Sequence, residues 1–190
     1  MSRLFLIRHA EPAAAWGGDA LDPGLSELGQ ARAEACALSL LELGPLQVQC
    51  SPMRRCRETA APFVARAGVA ANIAPPVSEV VAPAGAADRR AWLQQNFDWR
   101  PGAPTRPWPD REPALRTWRA ELLDFVQSLQ ADAAVFSHFI AINVIVGAAM
   151  RRDETIVCRP GHASITELAV RDGDINLVQM GEEMRGDDVR

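Results

Sequence analysis

The chain has 190 residues, of which 48% are hydrophobic, so one α/β domain can bury a core without disulfides or metals. Its formal net charge of -4 provides no basic surface for a polyanion, which argues against a nucleic-acid partner. All 20 basic residues are arginine, and a chain without lysine cannot form a Walker-type phosphate loop, so classical P-loop nucleotide hydrolysis is excluded.

The first predicted element is a buried strand. Residues 4–7 form a continuous apolar run that stops at Arg8 and His9, which is typical of a parallel strand whose carboxyl end carries polar side chains. Ligands bind at this edge of open α/β sheets. The run is too short for a signal-peptide core or a membrane span, so we expect a soluble, cytoplasmic protein that does not bind a membrane.

Two helices are predicted around a second strand. Ser26 is a good N-cap, and apolar residues recur at helical spacing as far as Gly44, namely Leu28, Ala31, Ala35, Leu38 and Leu41. Residues 46–50 alternate weakly as a strand that runs into Ser51 and Pro52. Residues 54–66 then form a helix that carries several arginines.

The middle of the chain is predicted to be a long connection. Residues 72–77 fit a short strand, but residues 79–113 are rich in Pro, Ala, Arg and Trp and show no sustained period apart from a helical turn around 88–96. Aromatic residues argue against disorder there: Trp92, Phe97, Trp99 and Trp108. We therefore expect a single domain over residues 1–190, with a Pro/Trp-rich insertion or substrate-covering flap at about 80–113. Its Trp and Arg residues fit a pocket for an organic or anionic substrate and fit packing equally well.

Regular periodicity returns towards the C-terminus. Residues 114–129 are predicted to be a helix, residues 133–136 a buried strand that ends at Ser137 and His138, and residues 140–150 an apolar helix. Residues 164–170 and 175–180 bracket the turn residues Asp172 and Gly173 as a β-hairpin. The charged residues past Gly181 are expected to fray.

Two of the three histidines directly follow predicted strands. His9 and His138 would meet at the same edge of a parallel sheet, although either alone fits an incidental residue at a strand end. Their neighbours favour a phosphate site, because Arg8 precedes His9 and Arg55 lies at a strand-to-helix turn. Guanidinium groups bind phosphate oxygens bidentately, and a helix N-terminus adds backbone N–H donors.

Four motifs, in this order, resemble the histidine phosphatase superfamily, which has the phosphoglycerate mutase-like fold. They are Leu6-Ile7-Arg8-His9-Ala10-Glu11, Leu25-Ser26-Glu27-Leu28-Gly29, Ser51-Pro52-x-x-Arg55-x-x-x-Thr59-Ala60 and Ser137-His138. The resemblance implies an α/β fold, a three-layer α/β/α sandwich around a mostly parallel central sheet. It also implies a phosphatase that hydrolyses phosphomonoesters.

The resemblance assigns roles to the side chains at the sheet edge. His9 would attack phosphorus and form a phosphohistidine, while Arg8, Arg55 and His138 would hold the phosphoryl oxygens. A neutral imidazole with a pKa of about 6.5 is a competent nucleophile. Two arginines and a histidinium would stabilise the charge that Mg²⁺ stabilises in other phosphoryl transfers. We therefore expect neither a metal nor another cofactor.

The leaving alkoxide needs a proton from a general acid. Glu79 falls where the family carries this acid, although the residues that follow it differ from the family's usual Gly and Trp-Glu-Gly. Glu11, close to His9 in sequence, is the alternative acid. His162 is more simply explained as a surface or core histidine. Four further departures from the family's frequent residues are expected to tune substrate access: Ala10, Glu11, Arg32 and Phe139.

Other chemistries fit the sequence less well. None of Cys36, Cys50 and Cys158 has arginine six positions later, as a cysteine-dependent phosphatase requires, so the four cysteines are expected to be reduced thiols without a catalytic role. The three histidines lack the local pairing of a metal site. A phosphoglycerate mutase-type phosphotransferase and a non-catalytic phosphate-ester or protein-binding member of the same fold remain open. The expected partner is a small-molecule phosphate ester, with a phosphoprotein as the alternative, and the sequence defines neither the substrate nor the oligomeric state.

Overall fold

Strands and helices alternate along most of the chain. The structure is a computed structural model, and it describes residues 1–13, 22–83, 88–97, 99–100, 102–104 and 106–184. The strands are β1 (Ser2–Arg8), β2 (Gln47–Cys50), β3 (Ala71–Ile73), β4 (Ala133–Ser137), β5 (Ile165–Arg171) and β6 (Asp174–Gln179). The helices are α1 (Glu27–Leu41), α2 (Arg54–Ala67), α3 (Arg89–Asn96), α4 (Pro113–Gln127) and α5 (Phe139–Ala149).

The strands form one sheet in the order β3-β2-β4-β1-β5-β6. The pairs β3–β2, β2–β4 and β4–β1 are parallel, whereas β5 is antiparallel to both β1 and β6. Of the six strands that the structure describes, β5 alone runs against the others, and the predicted mostly parallel sheet is confirmed. Since β1 and β4 are adjacent and parallel, the residues that follow them meet at one edge.

The sheet has an apolar cluster on each face. Because side chains alternate along a strand, Leu4 and Leu6 join a buried cluster with α4 and α5, whereas Phe5 and Ile7 join a second cluster with α1 and α2. Both clusters are almost fully excluded from solvent. Helices thus cover both faces, which confirms the predicted three-layer α/β/α architecture.

Helix α1 begins where the sequence predicts but buries a different face. Ser26 caps it by accepting a hydrogen bond from Gly29 N–H. The predicted apolar stripe is wrong, since Leu28 and Leu38 are about half exposed and the buried residues are instead Gly29, Ala33, Cys36, Ala37 and Leu40. An Ala- and Leu-rich helix offers two similar apolar stripes, and packing against the rest of the fold selects the one with the smaller side chains.

The predicted strand at 72–77 is too long. Strand β3 ends at Ile73 and a 3₁₀ turn follows at Pro75–Val77, because two prolines cannot donate to a strand ladder. In the connection, α3 confirms the helical turn predicted around 88–96, and the buried Trp99 and Trp108 belong to the core cluster shared with α4 and α5. Residues 84–87, 98, 101 and 105 of this connection lie outside the described residues.

The C-terminal hairpin forms as predicted, and the residues that directly follow it form backbone hydrogen bonds with the rest of the fold. Asp172 and Gly173 both have positive φ angles, 52° and 84°, which match the tight turns favoured in β-hairpins. The expected fraying after Gly181 is wrong for the next three residues, because Gly161 N–H donates to Glu182 O and Met184 N–H to Arg159 O. Residues 185–190 lie outside the described residues. Among the helices described, none combines the length and the apolar character needed to cross a membrane.

Candidate active site

The ends of β1 and β4 bring His9 and His138 together. His9 N–H donates to Ser137 O over 2.9 Å, which continues the β1–β4 ladder by one residue. The two imidazole rings lie 5.3 Å apart between centroids, and both side chains are buried. The sequence prediction that both histidines share one sheet edge is confirmed.

Helix α2 places Arg55 beside these histidines. Arg55 lies in the first turn of the helix, is buried, and donates from Nη2 to His138 Nδ1 over 3.1 Å. Thr59, one turn later, donates to Arg55 O and accepts a hydrogen bond from Ala10 N–H at 2.9 Å, so it ties the helix to the segment after His9. These two hydrogen bonds explain why a threonine occupies this position of the third motif.

The N-terminal turn of α1 packs closely against the chain that follows His9. Ser26 N–H donates to Glu11 O over 2.9 Å. A Cβ atom at Gly29 would collide with the same Glu11 carbonyl, so this contact requires glycine. The glycine of the second motif thus allows a helix to support the loop that carries the candidate nucleophile.

Arg8 is fully buried under the sheet edge. Its Nη1 donates to Pro160 O over 2.9 Å, and its Cζ lies 5.2 Å from the centroid of the Phe139 ring. Burial lowers the pKa of Arg8 to about 9, while Glu79 opposes this shift. Arg8 therefore remains cationic at neutral pH. Phe139 is only 2% exposed, so the expectation that it tunes substrate access is wrong; it packs against the guanidinium.

The hydrogen bonds of His9 assign its tautomer. Nδ1 lies 2.9 Å from Ala10 O, and because a carbonyl only accepts, Nδ1 carries the proton and Nε2 keeps its lone pair. Burial lowers the pKa of His9 well below 6.5, and the positive charges of Arg55 and Arg8 lower it further. His9 is thus neutral at neutral pH, with Nε2 available for nucleophilic attack.

His138 has the opposite tautomer. A guanidinium has only N–H donors, so Nδ1 of His138 accepts from Arg55 and carries no proton. Nε2 lies 2.8 Å from Ser51 Oγ and donates to it. The expected histidinium is therefore wrong for the site without a ligand, in which the network holds His138 as a neutral Nε2–H imidazole. Ser51 was only a motif residue in the sequence, and this contact gives it a function.

Among the residues that the structure describes, Glu79 is the one buried carboxyl group. Its Oε2 accepts from Ile140 N–H at 3.0 Å, in the first turn of α5, and its Oε1 accepts from Val80 N–H at 3.1 Å. Burial raises the pKa of Glu79, although these two hydrogen bonds and the charges of Arg55 and Arg8 oppose the rise. A carboxyl group held in this way retains its proton to higher pH than an exposed one.

Glu11 forms an ion pair with Arg32, whereas the ring of His162 lies beside that of His9. Glu11 is only partly buried and forms an ion pair with Arg32 at 3.7 Å. His162 does reach the site, since its ring lies 5.7 Å from that of His9, so its interpretation as a surface or core histidine is wrong. Ala163, with a positive φ of 59°, donates its N–H to Arg8 O and fixes the turn that carries His162. The sequence offers no periodic signal for such a turn.

Burial keeps the four thiols protonated. The four cysteines are free and buried, and burial raises the pKa of Cys36, Cys50 and Cys158 to about 12. Burial also raises the pKa of Cys56, whose Sγ lies 3.3 Å from His138 Nε2. In the described part of the chain, no group of three His, Cys, Asp or Glu side chains could hold a metal ion.

The three-layer sandwich, with two histidines and two arginines at one sheet edge, agrees with the family that the four sequence motifs resemble. The chain belongs to the histidine phosphatase superfamily (branch 1), whose family model matches residues 4–183.

Individual proteins resemble this chain in two ways, in sequence over a short stretch and in structure over nearly the whole chain. A probable phosphatase of Schizosaccharomyces pombe, C1687.21, is 40% identical over 65 residues, which are 33% of this chain and 31% of that protein. The match therefore spans about a third of that relative's length. The mycobacterial glucosyl-3-phosphoglycerate phosphatase Rv2419c has a TM-score of 0.70 at 21% identity, covering 94% of this chain and 98% of that one. A putative alpha-ribazole-5'-P phosphatase of Escherichia coli has a TM-score of 0.74 at 17% identity, covering 96% and 98%. At these identities the structural likeness concerns the fold.

Proposed function

We propose that the protein is a metal-independent phosphomonoesterase that works through a phosphohistidine on His9. The observation that carries this proposal is the hydrogen bond from His9 Nδ1–H to Ala10 O, which leaves Nε2 unprotonated inside a cationic site. Names of relatives in the family support phosphatase chemistry. We infer that the substrate is a small phosphate ester.

The first half-reaction transfers the phosphoryl group to the protein. The Nε2 lone pair of His9 attacks phosphorus as the ester P–O bond breaks, and the equatorial oxygens bind Arg8, Arg55 and His138. Two guanidinium groups offset the negative charge of the transition state in a site from which water is largely excluded, where electrostatic stabilisation is strongest. His138 contributes a neutral N–H donor in this scheme.

Glu79 acts as the general acid and then as the general base. It gives its proton to the leaving alkoxide, so the product leaves as an alcohol and Glu79 becomes a carboxylate. In the second half-reaction Glu79 removes a proton from water, the oxygen attacks phosphorus, and the P–N bond breaks. Inorganic phosphate and neutral His9 are regenerated, and no metal takes part.

The test combines turnover with trapping of the intermediate. Wild type, His9→Ala and His162→Ala are assayed with p-nitrophenyl phosphate in EDTA from acidic to neutral pH, then quenched in alkali, which preserves phosphohistidine. We expect wild type and His162→Ala to carry a phosphoryl group on the His9 peptide, and His9→Ala to lose both the group and turnover. Labelling at another residue, or turnover that persists in His9→Ala, would show that His9 is not the nucleophile.

The products formed from a phosphate ester distinguish the proposed phosphatase from two alternatives within the family. A phosphoglycerate mutase-type enzyme supplied with 3-phosphoglycerate would form an isomer and little inorganic phosphate. A non-catalytic member would bind phosphate esters without turnover of any of them. The buried carboxyl of Glu79, whose pKa is raised by burial, favours a catalytic protein, because a binding module has no use for an acid beside its phosphate site.

A further inference from the structure

His162 is a third imidazole at the candidate phosphate site, and the proposed chemistry gives it no role. Its ring centroid lies 5.7 Å from that of His9, almost as close as the 5.3 Å between the rings of His9 and His138. The candidate nucleophile therefore has a histidine ring on each of two neighbouring elements. Because His138 belongs to the proposed phosphate clamp, an imidazole at a similar distance from His9 is a candidate for the same kind of contact.

The two imidazoles that neighbour His9 differ in exposure. His138 is fully buried and His9 is 4% exposed, whereas His162 is only partly buried. A phosphate ester enters from solvent, so a partly exposed ring beside the nucleophile lies where the ester arrives. His162 thus borders the site on its solvent side, and the other two histidines lie deeper.

Backbone hydrogen bonds fix the turn that carries His162 to the end of β1. Ala163 N–H donates to Arg8 O over 3.0 Å, and Arg8 N–H donates to Ser164 O over 3.4 Å. The residue directly before the nucleophile is therefore bound through both its backbone groups to the two residues that follow His162. This pairing places the third imidazole beside the nucleophile before a ligand binds.

The backbone of the same turn is unusual at two positions. Ala163 has a φ of 59°, in the left-handed region that a residue with a Cβ atom rarely adopts. Gly161 N–H donates to Glu182 O over 2.8 Å, and a Cβ atom at Gly161 would lie 3.0 Å from that oxygen. Uncommon backbone conformations persist where the surrounding structure holds them, and they are concentrated at ligand sites. The turn is thus a held conformation that presents one polar side chain.

An imidazole is suited to bind a ligand while it remains attached to the protein. It has two ring nitrogens, so one can contact the protein while the other faces a ligand. At least one nitrogen carries a proton in either charge state, and phosphoryl oxygens accept hydrogen bonds. Donors that are already in position bind such oxygens most strongly where little water competes for them.

We propose that His162 is a fourth phosphate-binding side chain, which donates an N–H to an oxygen of the phosphate ester on the solvent side of the site. The inference rests on the proposed function, because it places the phosphoryl group of the ester at His9. Arg8, Arg55 and His138 hold this group from the buried side. A donor that contacts the phosphoryl group equally in the ground state and the transition state lowers KM and leaves kcat unchanged.

The experiment separates the N–H donor of His162 from the volume of its ring. His162→Gln keeps an N–H donor and has no ring, whereas His162→Phe keeps an aromatic ring and has no donor. His162→Leu also lacks a donor and has a smaller side chain, so it replaces the Phe variant if that ring does not fit the turn. Titration calorimetry measures the binding of inorganic phosphate, the proposed product, and assays with p-nitrophenyl phosphate at neutral pH give KM and kcat. Melting temperatures show whether each variant is folded.

We expect His162→Phe and His162→Leu to bind phosphate roughly five- to tenfold more weakly than wild type, as the loss of one charged hydrogen bond predicts. Their KM should rise by a similar factor while kcat stays within about twofold of wild type. His162→Gln should keep most of the phosphate affinity. Wild-type affinity in the variants without a donor, or an equal loss in His162→Gln and His162→Phe, overturns the proposal.

Failure of the proposed function gives a different result. The trapping experiment reports whether the wild-type protein carries a phosphoryl group on His9, and phosphate binding requires no turnover. If the phosphoryl group is absent from His9 but phosphate affinity still depends on the donor of His162, the nucleophile is wrong and the phosphate contact stands. If the phosphoryl group is present and the affinity is the same in all His162 variants, the phosphate contact is wrong and the nucleophile stands.

Discussion

Arg55 donates a hydrogen bond to His138 Nδ1 over 3.1 Å, and this contact decides which nitrogen of His138 carries a proton. His9 has the reverse arrangement, because its Nδ1 donates to Ala10 O. The two neighbouring imidazoles therefore have opposite tautomers. One presents a lone pair and the other has an N–H directed to Ser51.

These tautomers can be measured by ¹⁵N NMR on histidine-labelled protein at neutral pH without ligand. We expect one imidazole with a protonated Nδ1 and one with a protonated Nε2, assigned to His9 and His138 by their alanine variants. The physical reason is that a carbonyl only accepts and a guanidinium only donates. A doubly protonated His138, or the same tautomer for both rings, would contradict the assignment.

Ser51→Ala removes the hydroxyl that accepts from His138 Nε2. Cys56 Sγ also lies 3.3 Å from this nitrogen, but sulfur is a weak acceptor. We expect the free energy of unfolding to fall by about 1–3 kcal/mol, the cost of a buried polar group that loses its partner. Denaturant unfolding measures the change. Ser39→Ala, on the exposed side of α1, is the matched control, and its free energy of unfolding should stay within about 0.5 kcal/mol of wild type. Equal effects of the two variants would contradict the role given to Ser51.

The pH dependence of kcat/KM should be bell-shaped. The nucleophile must be neutral, and the pKa of His9 is lowered, so activity is lost only when the pH falls well below 6.5. The general acid must be protonated, and burial raises the pKa of Glu79. Activity therefore persists to higher pH than an ordinary glutamate allows, and it is lost as the pH rises through the pKa of Glu79. Initial rates at substrate concentrations well below KM, measured from acidic to alkaline pH, give both limbs. An acid limb at or above 6.5 would contradict the environment described for His9.

Glu79→Gln should discriminate between leaving groups. For an alkyl phosphate, whose alkoxide needs a proton, we expect kcat/KM to fall by about 10²–10⁴. For p-nitrophenyl phosphate the loss should be much smaller, because p-nitrophenolate leaves without protonation. Glu11→Gln is the matched variant and should affect both esters alike, since Glu11 is paired with Arg32. If Glu11→Gln gives the leaving-group dependence and Glu79→Gln does not, Glu11 is the general acid.

Gly29→Ala should destabilise the fold near the nucleophile. The added methyl group would collide with the Glu11 carbonyl, and overpacking of this kind costs about 1–3 kcal/mol. We expect a lower melting temperature together with reduced activity, because the displaced segment follows His9. Ala35→Gly, on the exposed face of the same helix, destabilises through helix propensity alone and should leave kcat intact. A Gly29→Ala variant with wild-type stability would show that the close contact is absent.

Much of the fold was predictable because its signals are local. An apolar run that ends at Arg8 and His9 indicates a buried strand wherever it occurs, and Ser26 marks a helix start through its own side chain. The motifs around Arg55 and His138 placed these residues at strand and helix ends. The face of α1 was not predictable, since its alanines and leucines offer two similar stripes and the choice follows from contacts distant in sequence.

The sequence by itself determined the layered α/β fold and the residues that meet at one sheet edge, because strand ends are set by short-range hydrophobic pattern. Only the tertiary structure decided the state of these residues. The protons of His9 and His138 depend on partners that lie on other elements, and the raised pKa of Glu79 depends on burial under α5. His162 reaches the site through a turn held by Arg8 O, a contact that joins residues more than 150 positions apart in the chain. Protonation and burial are properties of the assembled surroundings, and no periodicity within one segment encodes them.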